Sequence, residues 1–189
     1  MSEIQPRPQL EMVWPERLIQ APPIVWLPPG YLLRTYRPGD ESQYRRVMEL
    51  SGWPGWDAEK LKPWMARLLP EAWVMAIHEE TGDLAASAMG LHSHHELHPF
   101  GAELGWVASD PVHRGKGLGR AVCAAVTVRL LAAGYRNIHL YTDDFRHPAL
   151  ATYLKLGYVP FLFGPDELDR WQSICAELHW PCTPESWRT

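Results

Sequence analysis

The sequence has no unbroken apolar run of the roughly 18 residues that a membrane-crossing helix needs, so a helical membrane protein is excluded. Cysteine is scarce: the 3 present, Cys123, Cys175 and Cys182, form an odd set without metal-ligand spacing. A disulfide framework is therefore not expected, and the thiols should be reduced. Basic runs are missing as well. With 18 Lys and Arg against 22 Asp and Glu, a net charge of -4 offers no cationic face to a nucleic-acid backbone. The start, Met1 to Pro8, lacks the basic-then-apolar pattern of a secretory leader, and a cytoplasmic protein acting as monomer or homodimer is expected. Internal repeats and low-complexity tracts are also wanting.

What is there is an ordinary globular composition in 189 residues, enough for one domain with a substantial core. Tryptophan is the outlier at 10 residues. Trp14, Trp26, Trp53, Trp56, Trp64 and Trp73 crowd the N-terminal half, where they either build core or line a groove. Pro6, Pro8, Pro15, Pro22, Pro23, Pro28 and Pro29 punctuate residues 1–29 and argue against a long helix or a central strand, so an extended arm is expected there. Within it, Leu10 to Trp14 and Ile24 to Leu27 are apolar enough to lie across the body of the domain.

Beyond the arm the pattern alternates. Tyr31 to Arg37 reads as a strand, followed by a helix capped by Asp40 and a second one capped by Asp57 that stops near Pro70. Trp73 to His78 and Leu84 to Leu91 form a hairpin around Glu80-Thr81-Gly82-Asp83. Glu103 to Ser109 is a further strand, Asp110 to Gly119 a glycine-rich loop, and Arg120 to Ala133 an apolar helix. Asn137 to Thr142 is a strand, Pro148 opens a helix that Gly157 stops, Tyr158 to Phe163 is a last strand, and a short helix runs around Asp166 to Leu178.

The loop before the apolar helix carries the first chemical signal. The opening amides of a helix have no intrahelical partners and sit at the positive end of its dipole, so they favour an anion. Gly115, Gly117 and Gly119 allow the backbone to turn those amides toward a pyrophosphate, and Arg114, Lys116 and Arg120 add positive charge around Leu118. The bland reading is a tight strand-to-helix connection. A P-loop is excluded because Lys116 precedes Gly117 instead of standing before Ser or Thr. A dinucleotide fingerprint is the runner-up, with Asp143 or Asp144 as its ribose acid, but two βαβ halves cannot be drawn from these elements.

The segment Glu103-Leu104-Gly105-Trp106-Val107-Ala108-Ser109-Asp110-Pro111-Val112-His113-Arg114-Gly115-Lys116-Gly117-Leu118-Gly119 resembles the signature of the GNAT superfamily of N-acetyltransferases, whose loop reads Arg/Gln-x-x-Gly-x-Gly/Ala. Ala149 to Tyr158, with Tyr153 and Gly157, resembles its second signature. Ser109 and Arg146 depart from the usual pattern. The resemblance covers roughly Tyr31 to Phe163 and implies an α/β (α+β) fold: a central mixed, mostly antiparallel sheet flanked by helices and splayed at a cofactor cleft. It implies an N-acetyltransferase domain over residues 30–165, preceded by the arm and followed by a helix and tail over 166–189.

The implied reaction moves an acetyl group from acetyl-CoA to the amine of a small molecule or peptide by direct attack. An alkyl amine with a pKa near 10 must lose a proton first, and the resemblance makes Glu103 the candidate base. Tyr153 is the candidate acid for the departing thiolate. The other readings are a strand-end glutamate paired with an arginine and a core-facing tyrosine. Val107, Ala108 and Ser109 would pair with the pantetheine, with an amide near Val107 polarising the thioester carbonyl. Arg146 either binds a cofactor phosphate or makes a local hydrogen bond. Two rival functions remain: a non-catalytic acyl-CoA sensor, and a metal-binding module using His92, His94, His95 and His98. The loop spacing lacks a helical His-x-x-x-His frame, so no metal ligand is assigned; a loop histidine could instead help deprotonate the acceptor.

Overall fold

A computed structural model describes residues 8–187. The polar start and Pro6 lie outside the described residues. Seven strands, Leu10–Val13 (β1), Tyr31–Thr35 (β2), Leu68–His78 (β3), Leu84–His92 (β4), Ala102–Ser109 (β5), Ile138–Thr142 (β6) and Val159–Pro160 (β7), form one sheet in the order β2-β3-β4-β5-β6-β1-β7. The helices are Glu41–Leu50 (α1), Ala58–Arg67 (α2), Leu118–Ala132 (α3), His147–Leu156 (α4) and Glu167–Leu178 (α5). Every strand pairing is antiparallel except β5 with β6, so the mixed, mostly antiparallel sheet expected from the resemblance is present.

One expectation is overturned. The proline-rich arm contributes an interior strand: β1 lies between β6 and β7 and is fully buried. Proline disqualifies a strand only where it occurs, and Pro8 and Pro15 lie just outside the proline-free Leu10–Val13. The last strand is also shorter than expected, reduced to Val159–Pro160. Asp57 caps α2 by accepting from the Lys60 amide at 2.8 Å, as its position predicts. Asp40 does not cap α1; its carboxylate is held by both terminal nitrogens of Arg34 at 2.6 and 2.7 Å and by the Arg37 amide.

Each face of the sheet has its own core. On one, α3 packs through Leu118, Val122, Cys123, Val126 and Leu130 against Leu10, Met12, Leu104 and Leu140. The approach is close because Gly90 of β4 has no side chain: a Cβ there would stand 2.9 Å from Ala72 Cβ and 3.1 Å from Val126 Cγ1. On the other, α1 and α2 bring Tyr44, Val47, Met48, Trp56 and Leu61 onto Trp73, Met75, Met89 and Leu91. Tyr158 belongs to the first core and spends its hydroxyl on Thr127 Oγ1 at 2.9 Å. The burial of such aromatic and branched side chains supplies most of the stabilisation.

Candidate functional site

The site begins where the sheet comes apart. β5 and β6 share only two residue pairs, Ala102 with Ile138 and Glu103 with His139, and no further pairing joins Leu104–Ser109 to Leu140–Thr142. A bulge adds to the opening. Ser87 pairs with Ala108 and Met89 with Gly105, so Ala88 alone stands opposite Trp106 and Val107. Trp106 takes a left-handed φ of 52°, which a bulge tolerates and a regular strand does not. The extra residue re-aims the chain: Leu104 and Val107 both join the α3 core, while Trp106 and Ala108 both turn to the α1–α2 side.

The glycine loop follows directly. Asp110 caps the turn Pro111–His113 by accepting from the Val112 amide at 2.9 Å and ties it to Arg46 of α1 at 2.6 Å. Gly115 and Gly117 adopt left-handed φ values of 78° and 81°, and no side chain caps α3. A Cβ on Gly115 would meet nothing within 4 Å, so this stretch of backbone is open to a ligand. Arg114 and Arg120 are exposed beside it. Lys116 leans away toward Tyr31, whose hydroxyl it reaches at 2.8 Å and which also contacts His113 Nδ1 at 2.8 Å. Uncapped amides at a helix start, reached over glycine and flanked by cations, fit a pyrophosphate.

Tyr153 projects from α4 into the core on the α3 side of the sheet and is buried. Burial pushes its phenol well above the ordinary range, so it stays protonated and able to donate. Glu103 projects to the opposite face and is paired with Arg67 at 2.8 Å through Oε2, while its Oε1 lies beside Gly105. Ser109 is engaged by α1: Ser51 Oγ accepts from its amide at 3.2 Å and donates to its carbonyl at 3.3 Å, so a ligand pairing there has to displace a hydroxyl. Arg146 lies 4.4 Å over the Trp53 ring and bonds Asp143 at 2.8 Å. Trp53, Trp56 and Trp64 all meet Trp106 edge-on, at 5.6, 4.5 and 4.6 Å, so an indole wall lines the α1–α2 side of the bulge.

The sequence profile of the acetyltransferase (GNAT) family matches residues 38–158, well over half of the chain. The chain belongs to the GNAT acetyltransferase family. Among curated relatives, a mycothiol acetyltransferase from Paenarthrobacter aurescens is 28% identical over 171 residues, covering 81% of this chain and 52% of that protein. Another from Actinosynnema mirum is 30% identical over 149 residues, covering 75% and 48%. The chain thus spans about half the length of the curated relatives it matches. A solved GCN5-related N-acetyltransferase from Sphaerobacter thermophilus superposes with a TM-score of 0.65 at 24% identity, over 82% of this chain and 50% of that one, a likeness of fold.

Of the residues named from the sequence, Val107 and Tyr153 join the same core as Leu118 at the start of α3, Ser109 is held by Ser51, and Glu103 and Arg146 lie on the α1–α2 side against Arg67 and Trp53. Sequence reasoning missed several neighbours. Ser51, Arg67, Glu11, His139 and Tyr141 all lie on this side of the sheet, and only alternation in β6, where His139 and Tyr141 alternate with apolar Ile138 and Leu140, hinted at two of them. The histidine loop does not act as a unit. His92 faces Tyr135 and His94 accepts from the Phe100 amide, whereas His95 and His98 turn inward to His139. His98 Nε2 meets Glu11, and His95 Nε2 meets the Tyr141 hydroxyl at 2.5 Å. Burial, then the charge of Glu167, raises Glu11 to about 7.

Proposed function

We propose that the chain catalyses transfer of an acetyl group from acetyl-CoA to a primary amine of a small molecule. The observation that carries this reading is the parting of β5 from β6 after Glu103 and His139, beside an uncapped helix start. Relatives named mycothiol acetyltransferase support a small-molecule acceptor. The bound cofactor supplies the activated acyl group as a thioester. Gly115 to Gly119 hold its pyrophosphate, with Arg114 and Arg120 neutralising charge. The bulge frees main-chain groups near Val107, and an amide there polarises the acyl carbonyl. Tyr153 gives its proton to the departing sulfur. A thiol of ordinary pKa, about 8.5, leaves poorly as an anion at neutral pH, and a buried neutral phenol answers that need.

Glu103 is the acid proposed to draw a proton from the amine through water, using the oxygen that Arg67 leaves free. The Arg67 pair also favours a second reading, a domain that binds acyl-CoA without turnover, because a carboxylate engaged by a guanidinium is a poorer base. A screen of small amines, mycothiol-related amines and peptide N-termini with acetyl-CoA, monitored by free thiol, separates the two. Thiol release that depends on an amine and drops in Glu103→Gln supports the enzyme. Tight cofactor binding with no release from any amine supports the sensor.

A further inference from the structure

A second cluster of chemistry-bearing groups lies on the α1–α2 face of the sheet and is given no role in the transfer proposed above. It joins three segments: Glu11 of β1, His95 and His98 of the loop between β4 and β5, and His139 of β6. One nitrogen from each of the three imidazoles lies within 4.8 Å of the others. His139 is fully buried, and His98 and Glu11 are 2% exposed.

Their hydrogen bonds are distributed as a metal site requires. A ligating histidine usually gives its second ring nitrogen to an oxygen, which orients the ring and leaves the first nitrogen free. His98 Nδ1 meets Asn137 Oδ1 at 2.9 Å, which turns Nε2 toward the Glu11 carboxylate. With Nδ1 donating to that oxygen, a neutral His98 presents a lone pair to another acceptor, and the contact needs a cation or a proton between them. His139 Nε2 meets Ser93 Oγ at 3.2 Å, and its Nδ1 is buried without a partner among the described residues. An unpaired buried nitrogen is costly, and a metal ion would remove that penalty.

We infer that His95, His98, His139 and Glu11 form a site for one divalent transition cation, best matched to zinc. Three imidazoles and one carboxylate, with no cysteine, suit zinc and disfavour the softer cuprous ion. Tetrahedral zinc places its ligand atoms roughly 3.4 Å apart; the three imidazole nitrogens lie within 4.8 Å of one another, and Glu11 joins them through its contact with His98. The His139 ring is stacked on His98 at 4.3 Å and must turn so that the lone pairs converge. The carboxylate also faces Tyr141 and, further off, Glu167, so the cluster holds a surplus of acceptors. A cavity of about 280 Å³ borders the cluster at His98 and Asn137. With four protein ligands the site is a structural clip, binding the N-terminal strand and the histidine loop to β6.

The test is metal content and metal response, independent of acetyl transfer. Protein expressed with zinc in the medium and dialysed into metal-free buffer should retain one zinc per chain by mass spectrometry, and zinc chloride added to chelator-stripped protein should raise its Tm. Glu11→Gln and His139→Ala should abolish retention. Because both sites are buried and their substitution also perturbs packing, Asn137→Ala is the companion variant: with native circular dichroism it should weaken zinc affinity on the order of 10–100-fold. Substoichiometric zinc together with an unchanged Tm overturns the proposal. So does stoichiometric zinc that persists in a folded His95→Ala/His98→Ala protein, which places the ion elsewhere.

Discussion

Strands β2 to β5 pair with their neighbours in sequence, whereas β6, β1 and β7 are gathered from the middle, the start and the far end of the chain. The first half is an antiparallel meander, with short loops joining β3, β4 and β5 and with α1 and α2 between β2 and β3, and its ladders run almost the length of the strands. The second half exists only because α3 and α4 carry the chain across the sheet and β1 returns to fill the gap between β6 and β7. Between the halves the ladder has two pairs. A sheet that must stay continuous cannot leave backbone groups free for a ligand, so the seam is where this fold concentrates its chemistry.

The sharpest way to break that comparison is at the seam itself. Tyr153→Phe should slow turnover by about 10²–10⁴-fold while calorimetry finds cofactor affinity nearly unchanged. Equal turnover would remove Tyr153 from the proton-donor role. The dependence of the second half on β1 is next. Leu10 is fully buried, and Leu10→Ala should cost about 2–5 kcal/mol in denaturant unfolding. A cost within roughly 0.5 kcal/mol, typical of surface positions, would show that β1 is dispensable to the fold.

Smaller effects sharpen the contrast. Gly117 has φ of 81°, where an L side chain costs roughly 1–2 kcal/mol. Gly117→Ala should therefore lower Tm modestly and weaken cofactor binding by calorimetry; unchanged affinity would detach the loop from the pyrophosphate. In the first half, the Arg34 hydrogen bonds hold Asp40 below the ordinary aspartate value of 3.8. A depressed acid contributes stability above its unfolded pKa and loses it as pH falls through the folded one. Asp40→Asn should thus cost about 1 kcal/mol at neutral pH and progressively less below pH 4, read from unfolding midpoints across that range. A cost independent of pH would mean that the pair is not electrostatic.

Legibility followed sequence distance. Hairpin, glycine loop and the helix ended by Gly157 could be read because each is decided by a few adjacent residues: turn formers, a left-handed glycine with φ of 115°, an apolar period. Both signatures were legible for the same reason. Glu103 could be named, but its Arg67 partner could not, since 36 residues separate them and neither charge pattern points to the other. The histidines divided in a way that no spacing announced. His92 and His94 are adjacent in pattern to His95 and His98, yet the turn between β4 and β5 sends one pair outward and the other inward.

By itself, then, the chain of residues determined local conformation and the chemical kind of the loop, because dihedral preferences and the start of a helix act over one or two turns. Only the tertiary structure decided that Leu10–Val13 is an interior strand, that the sheet opens after Glu103, and that Glu11 and His139 share one buried cluster. Those outcomes depend on which distant strands win a place in the sheet. That competition is settled by the summed burial of many side chains, and no short stretch of sequence encodes it.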